Sequence, residues 1–206
     1  YNETPSGPIK PTPLIGVLGL IDKKPLVSQK IQSGDNLVII GDTQDELGGS
    51  EYFEYIHKFI GGNCPTVDFK ESKKNMKSVL DSIKQQIPKS VHDCSKGGLA
   101  VAVAELCMTN QIGCKVSLNK VPGEKLTDDR ILFSESHSRY LLTIDEKNIK
   151  KLESILKKNK VSFQIIGKFG GKKIQFTNGT KSIITLGVDK AQKTWLNSLK
   201  NLVLHS

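Results

Sequence analysis

The chain has 206 residues, of which 37% are hydrophobic and 25% charged, and its formal net charge at pH 7 is +9. This length accommodates one large or two small domains. No apolar run approaches the roughly 18 residues of a membrane span, so we predict no membrane segment. The lysine excess includes four separated pairs with few aromatic residues between them. That pattern is typical of solvated helix faces and disfavours a nucleic-acid surface.

The first 34 residues contain an extended segment and one apolar strand. Four prolines within residues 1–13 exclude a helix there. The continuous apolar run at 14–21 predicts a strand that is buried on both faces. Such a segment forms no domain alone, so we expect residues 1–34 to be the end of a preceding domain in a longer protein.

The next part of the chain predicts a strand at 36–41, a polar loop ending in Leu-Gly-Gly-Ser, and a helix over 51–60 with Ser50 as its N-cap. Residues 68–87 predict an amphipathic helix. Its expected core face is formed by the apolar residues that recur at helical spacing, namely Met76, Val79, Leu80, Ile83 and Ile87.

Residues 90–107 are the most informative stretch of the sequence. They predict a short strand, a polar turn, a Gly-Gly pair and a helix so rich in Ala, Val and Leu that it must be buried. A helix start presented by glycines suits an anion such as phosphate. The simpler alternative is a glycine turn that joins a strand to a core helix, with Asp93 or Ser95 as the N-cap.

The remainder of the sequence alternates strand and helix patterns. Strands are predicted at 113–118, 140–144, 163–166, 173–176 and 182–186, with a tight hairpin turn at Asn178-Gly179. Helices are predicted at 146–158 and 189–204. We therefore predict an α/β domain from about residue 35 to the end.

Four cysteines, Cys64, Cys94, Cys107 and Cys114, contain no Cys-x-x-Cys pair. Neither they nor the four histidines have the spacing of a metal site. Buried, reduced thiols in a cytoplasmic protein are the simplest interpretation.

Several motifs occur in an order that resembles one enzyme family. They are Tyr-Asn-Glu-Thr at 1–4, Ile-Lys-Pro-Thr-Pro-Leu-Ile-Gly at 9–16, Leu-Gly-Gly-Ser-Glu-Tyr at 47–52, His-Asp-Cys-Ser-Lys-Gly-Gly-Leu-Ala at 92–100 and Phe-Ser-Glu-Ser-His-Ser-Arg at 133–139. Together they resemble the carboxyl-terminal part of phosphoribosylformylglycinamidine synthase over nearly the whole chain. The Asp-x-Ser-x-Gly-Gly-Leu pattern also occurs in aminoimidazole ribonucleotide synthetase and selenophosphate synthetase, so the opening motifs favour the synthase.

The resemblance implies an α/β (α+β) fold. Residues 35–206 would form an AIR synthase C-terminal-like domain, with a mixed sheet flanked by helices. Residues 1–34 would be the last strands of an AIR synthase N-terminal-like domain. The implied activity is an ATP-dependent ligase of purine biosynthesis, which converts formylglycinamide ribonucleotide and ammonia to formylglycinamidine ribonucleotide, ADP and phosphate with the help of Mg²⁺. The implied partners are a glutaminase subunit, a small accessory subunit and the missing amino-terminal half of the polypeptide.

The resemblance also assigns site residues. It implies a nucleotide or auxiliary phosphate pocket at Asp93, Ser95, Gly97 and Gly98, and a substrate-binding segment at Glu135, Ser136 and His137. It places the catalytic histidine and most magnesium ligands in the missing half. No catalytic residue or metal ligand is therefore predicted here, and the chain alone is expected to be inactive. Lys96 and Ser134 depart from the family pattern, which usually has a small polar residue and Gly at these positions.

Simpler interpretations of the same residues remain open. Asp93 would only cap a helix, His92 and His137 would be turn or packing residues, and Glu135 would form a surface salt bridge with Arg139. Two alternative functions also remain: a non-catalytic basic α/β binding module, and another phosphate-activating member of the superfamily such as aminoimidazole ribonucleotide synthetase. Nucleic-acid binding by such a module would weaken steeply with salt.

Overall fold

The computed structural model describes residues 3–5, 7–9, 12–20, 27 and 29–204, with side chains described as far as residue 198. The strands are β1 Glu3–Thr4, β2 Gly7–Pro8, β3 Asn36–Ile40, β4 Ser90–Asp93, β5 Cys114–Ser117, β6 Tyr140–Ile144, β7 Phe163–Phe169, β8 Lys173–Asn178 and β9 Lys181–Gly187. The helices are α1 Glu51–Tyr55, α2 Phe69–Lys84, α3 Gly98–Asn110, α4 Asp128–Phe133, α5 Ile149–Lys158 and α6 Val188–Leu204. None of these helices is long and apolar enough to cross a membrane.

Strands β3 to β9 form one mixed sheet with the spatial order β4-β6-β3-β7-β5-β8-β9. Strands β5 and β8 are parallel, and the other neighbouring pairs are antiparallel. The predicted hairpin turn is confirmed, because Asn178 pairs with Lys181 and Gly179 has a φ of +57°. Strands β1 and β2 form a separate two-stranded hairpin.

Helices cover both faces of the sheet. In the central strand β3, Leu37 and Ile39 join a core formed with α3, α4 and α6. The alternate residues Val38 and Ile40 join a second core formed with α2 and α5. Burial on both faces explains why this strand is continuously apolar rather than alternating. The prediction of an α/β domain with a mixed sheet flanked by helices is confirmed.

Helix α3 is buried, as its composition predicts: eight of its 13 residues are buried. The predicted side-chain caps are wrong, because the N-cap is Gly97, with a φ of +76°, and no side chain caps the helix. Asp93 and Ser95 are therefore not N-caps. The small residues of α3 allow α4 and α6 to pack closely against it.

Helix α1 begins as predicted, since the Ser50 Oγ accepts a hydrogen bond from the Phe53 N–H at 3.2 Å. It ends at Tyr55 rather than at residue 60. The chain turns there because Lys58 adopts a φ of +55°, and the Phe59 N–H then donates to the Phe53 carbonyl oxygen. This turn packs the Phe59 ring edge-on against Phe53.

Helix α2 has the predicted position, and its core face is predicted correctly in part, since Val79, Ile83 and Ile87 pack in the core with α5. Met76 and Leu80, which the sequence assigns to the core face, are exposed. The helix also buries Asn75, Ser78 and Ser82; each forms a hydrogen bond, but the Asn75 Oδ1 has no partner among the described residues. The partners of Asn75 and Ser78 lie far away in sequence, so the apolar spacing alone places Met76 and Leu80 wrongly.

The prediction of a buried strand at 14–21 is wrong for the described residues. Residues 12–20 form no regular secondary structure. Five apolar side chains of this run are more than four-fifths exposed, namely Leu14, Ile15, Val17, Leu18 and Leu20. A strand buried on both faces needs hydrogen-bonding neighbours and covering layers, and the described part of the chain provides neither for this run. The predicted run also includes Ile21, which lies outside the described residues.

Candidate functional site

The two segments that the sequence assigns to binding meet at one cavity of about 360 Å³, which we call the central pocket. The sheet brings them together because β4 and β6 are antiparallel neighbours and Asp93 pairs with Tyr140. The end of β4 therefore lies beside the start of β6. The pocket is lined by Pro65, Asp93, Cys94, Ser95, Lys96, Glu135, His137, Ser138, Arg139 and Tyr140.

A second cavity, of about 100 Å³, adjoins the central pocket. The two share His137 and Ser138 as a common wall. The second cavity is lined by four carboxylates, Asp42, Glu46, Asp68 and Glu71, and by the predicted substrate residue Ser136. Ser136 is already engaged, because its Oγ accepts a hydrogen bond from the Gln44 N–H at 3.0 Å. It therefore ties the loop after β3 to the segment before β6.

Glu135 connects the starts of α1 and α3, the two helices that begin at a Gly-Gly pair. Its Oε1 accepts a hydrogen bond from the Gly97 N–H at 2.9 Å, at the start of α3. The same oxygen accepts from the Glu51 N–H at 3.3 Å, at the start of α1. Helix N-termini favour negative charge, so the predicted anion site at the start of α3 already holds a carboxylate of the protein, which also reaches the start of α1.

The Gly98 N–H at the start of α3 is also engaged. The Gly98 N–H donates to the Ser95 carbonyl oxygen at 3.0 Å. A phosphate that used the Gly97 and Gly98 N–H groups would therefore have to displace Glu135. Neither glycine lines the central pocket, whereas Asp93, Ser95, Glu135 and His137 do.

Close packing accounts for Gly98. This residue has a φ of +62°, and a Cβ on it would lie 2.5 Å from the Ser134 carbonyl oxygen and 2.8 Å from that of Leu132. The start of α3 therefore sits directly on the last turn of α4, where no side chain fits. The glycine is required by the protein's own backbone, whether or not a ligand approaches.

Arg139 forms the floor of the central pocket and is 1% exposed. Its Nε donates to the Ser136 carbonyl oxygen at 3.0 Å, and its guanidinium also donates to the Ser134 carbonyl oxygen and to the Thr43 Oγ1. Burial lowers the pKa of Arg139, although the neighbouring Cys94, Glu46 and Glu135 oppose that change. The alternative of a Glu135–Arg139 surface salt bridge is wrong, since the arginine is buried and binds carbonyl oxygens.

The other basic side chains of the two motifs lie at or beyond the rim of the central pocket. Lys96 is 79% exposed and its Nζ lies 3.0 Å from the Glu51 Oε1, a hydrogen bond that raises the pKa of Lys96. His137 is exposed on the wall between the two cavities. His92 lies outside the central pocket, where its Nε2 is 3.3 Å from the Glu105 Oε2. Of the two histidines near the motifs, only His137 is placed to meet a ligand in the central pocket.

Cys94 and Arg139 are pocket residues that the sequence analysis did not assign to the site. Burial raises the pKa of Cys94 to about 11, so its thiol is neutral near pH 7 and is no nucleophile. The described residues contain no group of three or more His, Cys, Asp or Glu side chains that would hold a metal ion. The implied Mg²⁺ therefore does not fit a site built from the described residues alone.

The fold and this pocket define a class of protein. Residues 32–177 match the family model for the AIR synthase related protein, C-terminal domain, and the chain therefore belongs to the family of AIR synthase related proteins. The hydrogenase maturation protein HypE of Escherichia coli shares the fold, with a TM-score of 0.54 and 14% identity over 79% of this chain and 51% of that chain.

Within this family, the resemblance to phosphoribosylformylglycinamidine synthase is confirmed. Subunit PurL of that enzyme from Methanocaldococcus jannaschii is 37% identical over 211 residues, covering 98% of this chain and 28% of the relative. The Thermotoga maritima PurL structure complexed with FGAR has a TM-score of 0.73 at 18% identity, covering 80% of this chain and 29% of that chain. This chain thus spans less than a third of the length of either protein.

Proposed function

We propose that the chain is the carboxyl-terminal part of an ATP-dependent ligase that converts formylglycinamide ribonucleotide, ATP and glutamine-derived ammonia to formylglycinamidine ribonucleotide, ADP and phosphate. The observation that carries this proposal is the 37% identity with a PurL subunit over 98% of the chain. The reaction belongs to the whole enzyme, which would act in the cytoplasm with a glutaminase subunit and a small accessory subunit. The chain alone is expected to be inactive.

The residues of the central pocket indicate which part of the substrate this domain would bind. Asp93, Ser95, Glu135 and His137 supply carboxylate, hydroxyl and imidazole groups at the central pocket, which suit the polar groups of a ribonucleotide. The Gly97 N–H already donates to Glu135. We infer that the domain lines the ligand site but does not offer this N–H group to a phosphate. We therefore assign the nucleotide phosphates, Mg²⁺ and the catalytic groups mainly to the rest of the enzyme.

The proposed domain boundary also has support in the described residues. Residues 1–34 would be the end of the preceding domain, and residues 35–206 the AIR synthase C-terminal-like domain. The exposed apolar run at 14–20 supports this division, because five neighbouring apolar side chains are stable in water only when another surface covers them. We expect that surface to be the amino-terminal half of the same polypeptide.

The test uses the complete enzyme with its amino-terminal half. ADP release is measured with ATP, Mg²⁺ and ammonium, with and without formylglycinamide ribonucleotide. We expect release to require the ribonucleotide. The variants Ser95→Ala and His137→Ala should raise KM for the ribonucleotide about 10-fold, the cost of about 1.4 kcal/mol of lost binding. His92→Ala is the matched control, since His92 lies outside the central pocket, and its KM should not change.

The other outcomes also discriminate between functions. ADP release that is indifferent to the ribonucleotide would contradict the proposed reaction and favour another phosphate-activating member of the family. Detectable turnover by residues 1–206 alone would contradict the assignment of the catalytic groups to the missing half. A loss of kcat in the variants at an unchanged KM would contradict the assignment of Ser95 and His137 to substrate binding.

A further inference from the structure

Helix α2 presents an apolar stripe to solvent. Phe69, Met76 and Leu80 are 82%, 56% and 48% exposed. With about 100° of rotation per residue, these three positions lie within about 40° of one another around the helix axis. We call them the α2 stripe. Isolated exposed apolar residues are ordinary, but an aligned group on one helix face marks an interaction surface.

Hydrogen bonds on the opposite face of α2 keep the stripe on the solvent side of the helix. There the Asn75 Nδ2 donates to the Ser138 carbonyl oxygen at 3.1 Å, and the Ser78 Oγ accepts from the Asn159 Nδ2 at 2.9 Å. Rotating α2 to bury the stripe would break these hydrogen bonds and expose Val79, which is 6% exposed in its present place. The structure therefore keeps three large apolar side chains in water while it buries polar ones.

Positive charge borders the stripe on one side. Lys73, Lys84 and Lys70 follow it around the helix at about 40° to 100° from Phe69. All three are exposed, and none forms a salt bridge with a described residue. The other two lysines of the helix are neutralised, Lys74 by Glu71 and Lys77 by Asp81. The stripe therefore has one edge of lysines that form no described salt bridge, although Lys70 and Lys84 are attracted by the nearby Asp68 and Asp81.

We propose that the α2 stripe docks an amphipathic helix of another polypeptide, with an apolar face edged by Glu or Asp. The apolar face would cover Phe69, Met76 and Leu80, and the carboxylates would meet the lysine edge, which is the complementarity that gives such contacts specificity. A second copy of this chain fits less well, because it would bring further lysines to the interface. A membrane fits less well because interfacial helices bury a broad apolar face, whereas this stripe is narrow.

The test measures binding of two synthetic peptides to the complete protein. Both are helical, of about 20 residues, with the same leucine face. One peptide carries Glu along the edge of that face and the other carries Lys. We expect the Glu peptide to bind and the Lys peptide to bind at least about 10-fold more weakly, with the difference shrinking at high salt. The measurement is fluorescence anisotropy of the labelled peptide.

Variants locate the site. The double variant Met76→Gln/Leu80→Gln should weaken binding of the Glu peptide at least about 10-fold. Lys73→Glu/Lys84→Glu should reverse the preference between the peptides. The matched control is Lys190→Glu/Lys193→Glu, which changes the same charge on α6 and should leave binding unchanged. All six side chains are exposed, so the variants should fold, which circular dichroism checks.

Four results of the peptide measurements would overturn the proposal. They are binding of neither peptide, equal binding of both, binding that Met76→Gln/Leu80→Gln does not weaken, and a control variant that behaves like Lys73→Glu/Lys84→Glu. Stripe-dependent dimerisation in sedimentation would assign the surface to a second copy instead. Stripe-dependent binding to phosphatidylserine vesicles, in the absence of peptide binding, would assign it to a membrane. The proposal does not depend on the ligase reaction, so each can fail alone.

Discussion

Replacing Glu135 with Ala tests whether one carboxylate stabilises the starts of both α1 and α3. The change removes the acceptor of the Gly97 and Glu51 N–H groups, at 2.9 and 3.3 Å. Loss of an N-terminal acceptor costs about 0.5–2 kcal/mol. Because the second bond is long and Glu135 is only partly buried, we expect a total loss of about 2 kcal/mol in the free energy of unfolding.

Replacing Glu135 with Gln separates charge from hydrogen bonding. Gln keeps an acceptor oxygen but loses the negative charge, which is worth about 0.3–1 kcal/mol at a helix N-terminus. We therefore expect a loss of about 0.5–1 kcal/mol. The matched control is Glu124→Ala: Glu124 is exposed, and its side chain is in no described hydrogen bond or salt bridge. The control should change stability by less than about 0.5 kcal/mol.

Urea unfolding measures these losses, and hydrogen exchange locates them. In the Ala variant the amides of Gly97 and Glu51 should exchange faster. Amides in the centre of β3 exchange through global unfolding, so their protection should fall only by the loss of global stability. Suppose that Glu135→Ala were as stable as Glu124→Ala, with unchanged exchange at both helix starts. The Glu135 carboxylate would then not stabilise the starts of α1 and α3, and its assignment as their shared acceptor would be refuted.

Three further predictions concern packing and burial. Gly98→Ala should lower the free energy of unfolding by at least about 3 kcal/mol, and Gly179→Ala by about 1 kcal/mol. Both glycines have a φ near +60°, but only at Gly98 would the Cβ meet backbone atoms, so equal losses of thermal stability would contradict the crowding argument. Arg139→Ala should cost about 3–5 kcal/mol in urea unfolding, because it leaves a cavity and unpaired acceptors; a loss below about 1 kcal/mol would show that the guanidinium is dispensable. With a thiol reagent at pH 8, Cys64 should react quickly and the three buried cysteines slowly. Because burial raises the pKa of Cys94 to about 11, its thiolate forms only at higher pH, and fast labelling of more than one thiol at pH 8 in the folded protein would contradict this burial.

Local patterns predicted much of the fold. Strand β3 is apolar on both faces and helix α3 is apolar all round, so their burial follows from composition alone. The turn at Asn178-Gly179 also follows from residue type, because few other pairs adopt its backbone conformation. These features depend on residues that are close together in sequence.

Features that depend on distant partners were missed. The apolar spacing of α2 placed Met76 in the core, whereas Asn75 is buried because it meets Ser138, 63 positions further along the chain. One feature of the sequence pointed to a role like that of Glu135: the first turn of α3 contains no acidic residue. Such a helix start favours a carboxylate from elsewhere, but the sequence does not say from which loop.

The position of β3 in the sheet has a consequence for biosynthesis. Strand β3 is the first of the seven strands to be synthesised, yet it lies between β6 and β7, which are synthesised much later. Val38 pairs with Leu142 in β6 and with Ile165 in β7. At about 5–20 residues per second, a ribosome needs between about 6 and 25 s to make the residues that separate Val38 from Ile165. Throughout that interval, four consecutive aliphatic residues lack at least one of their two final neighbours. The nascent chain is therefore most prone to aggregation before β7 emerges, and binding of a chaperone to residues 36–40 would matter most in that window.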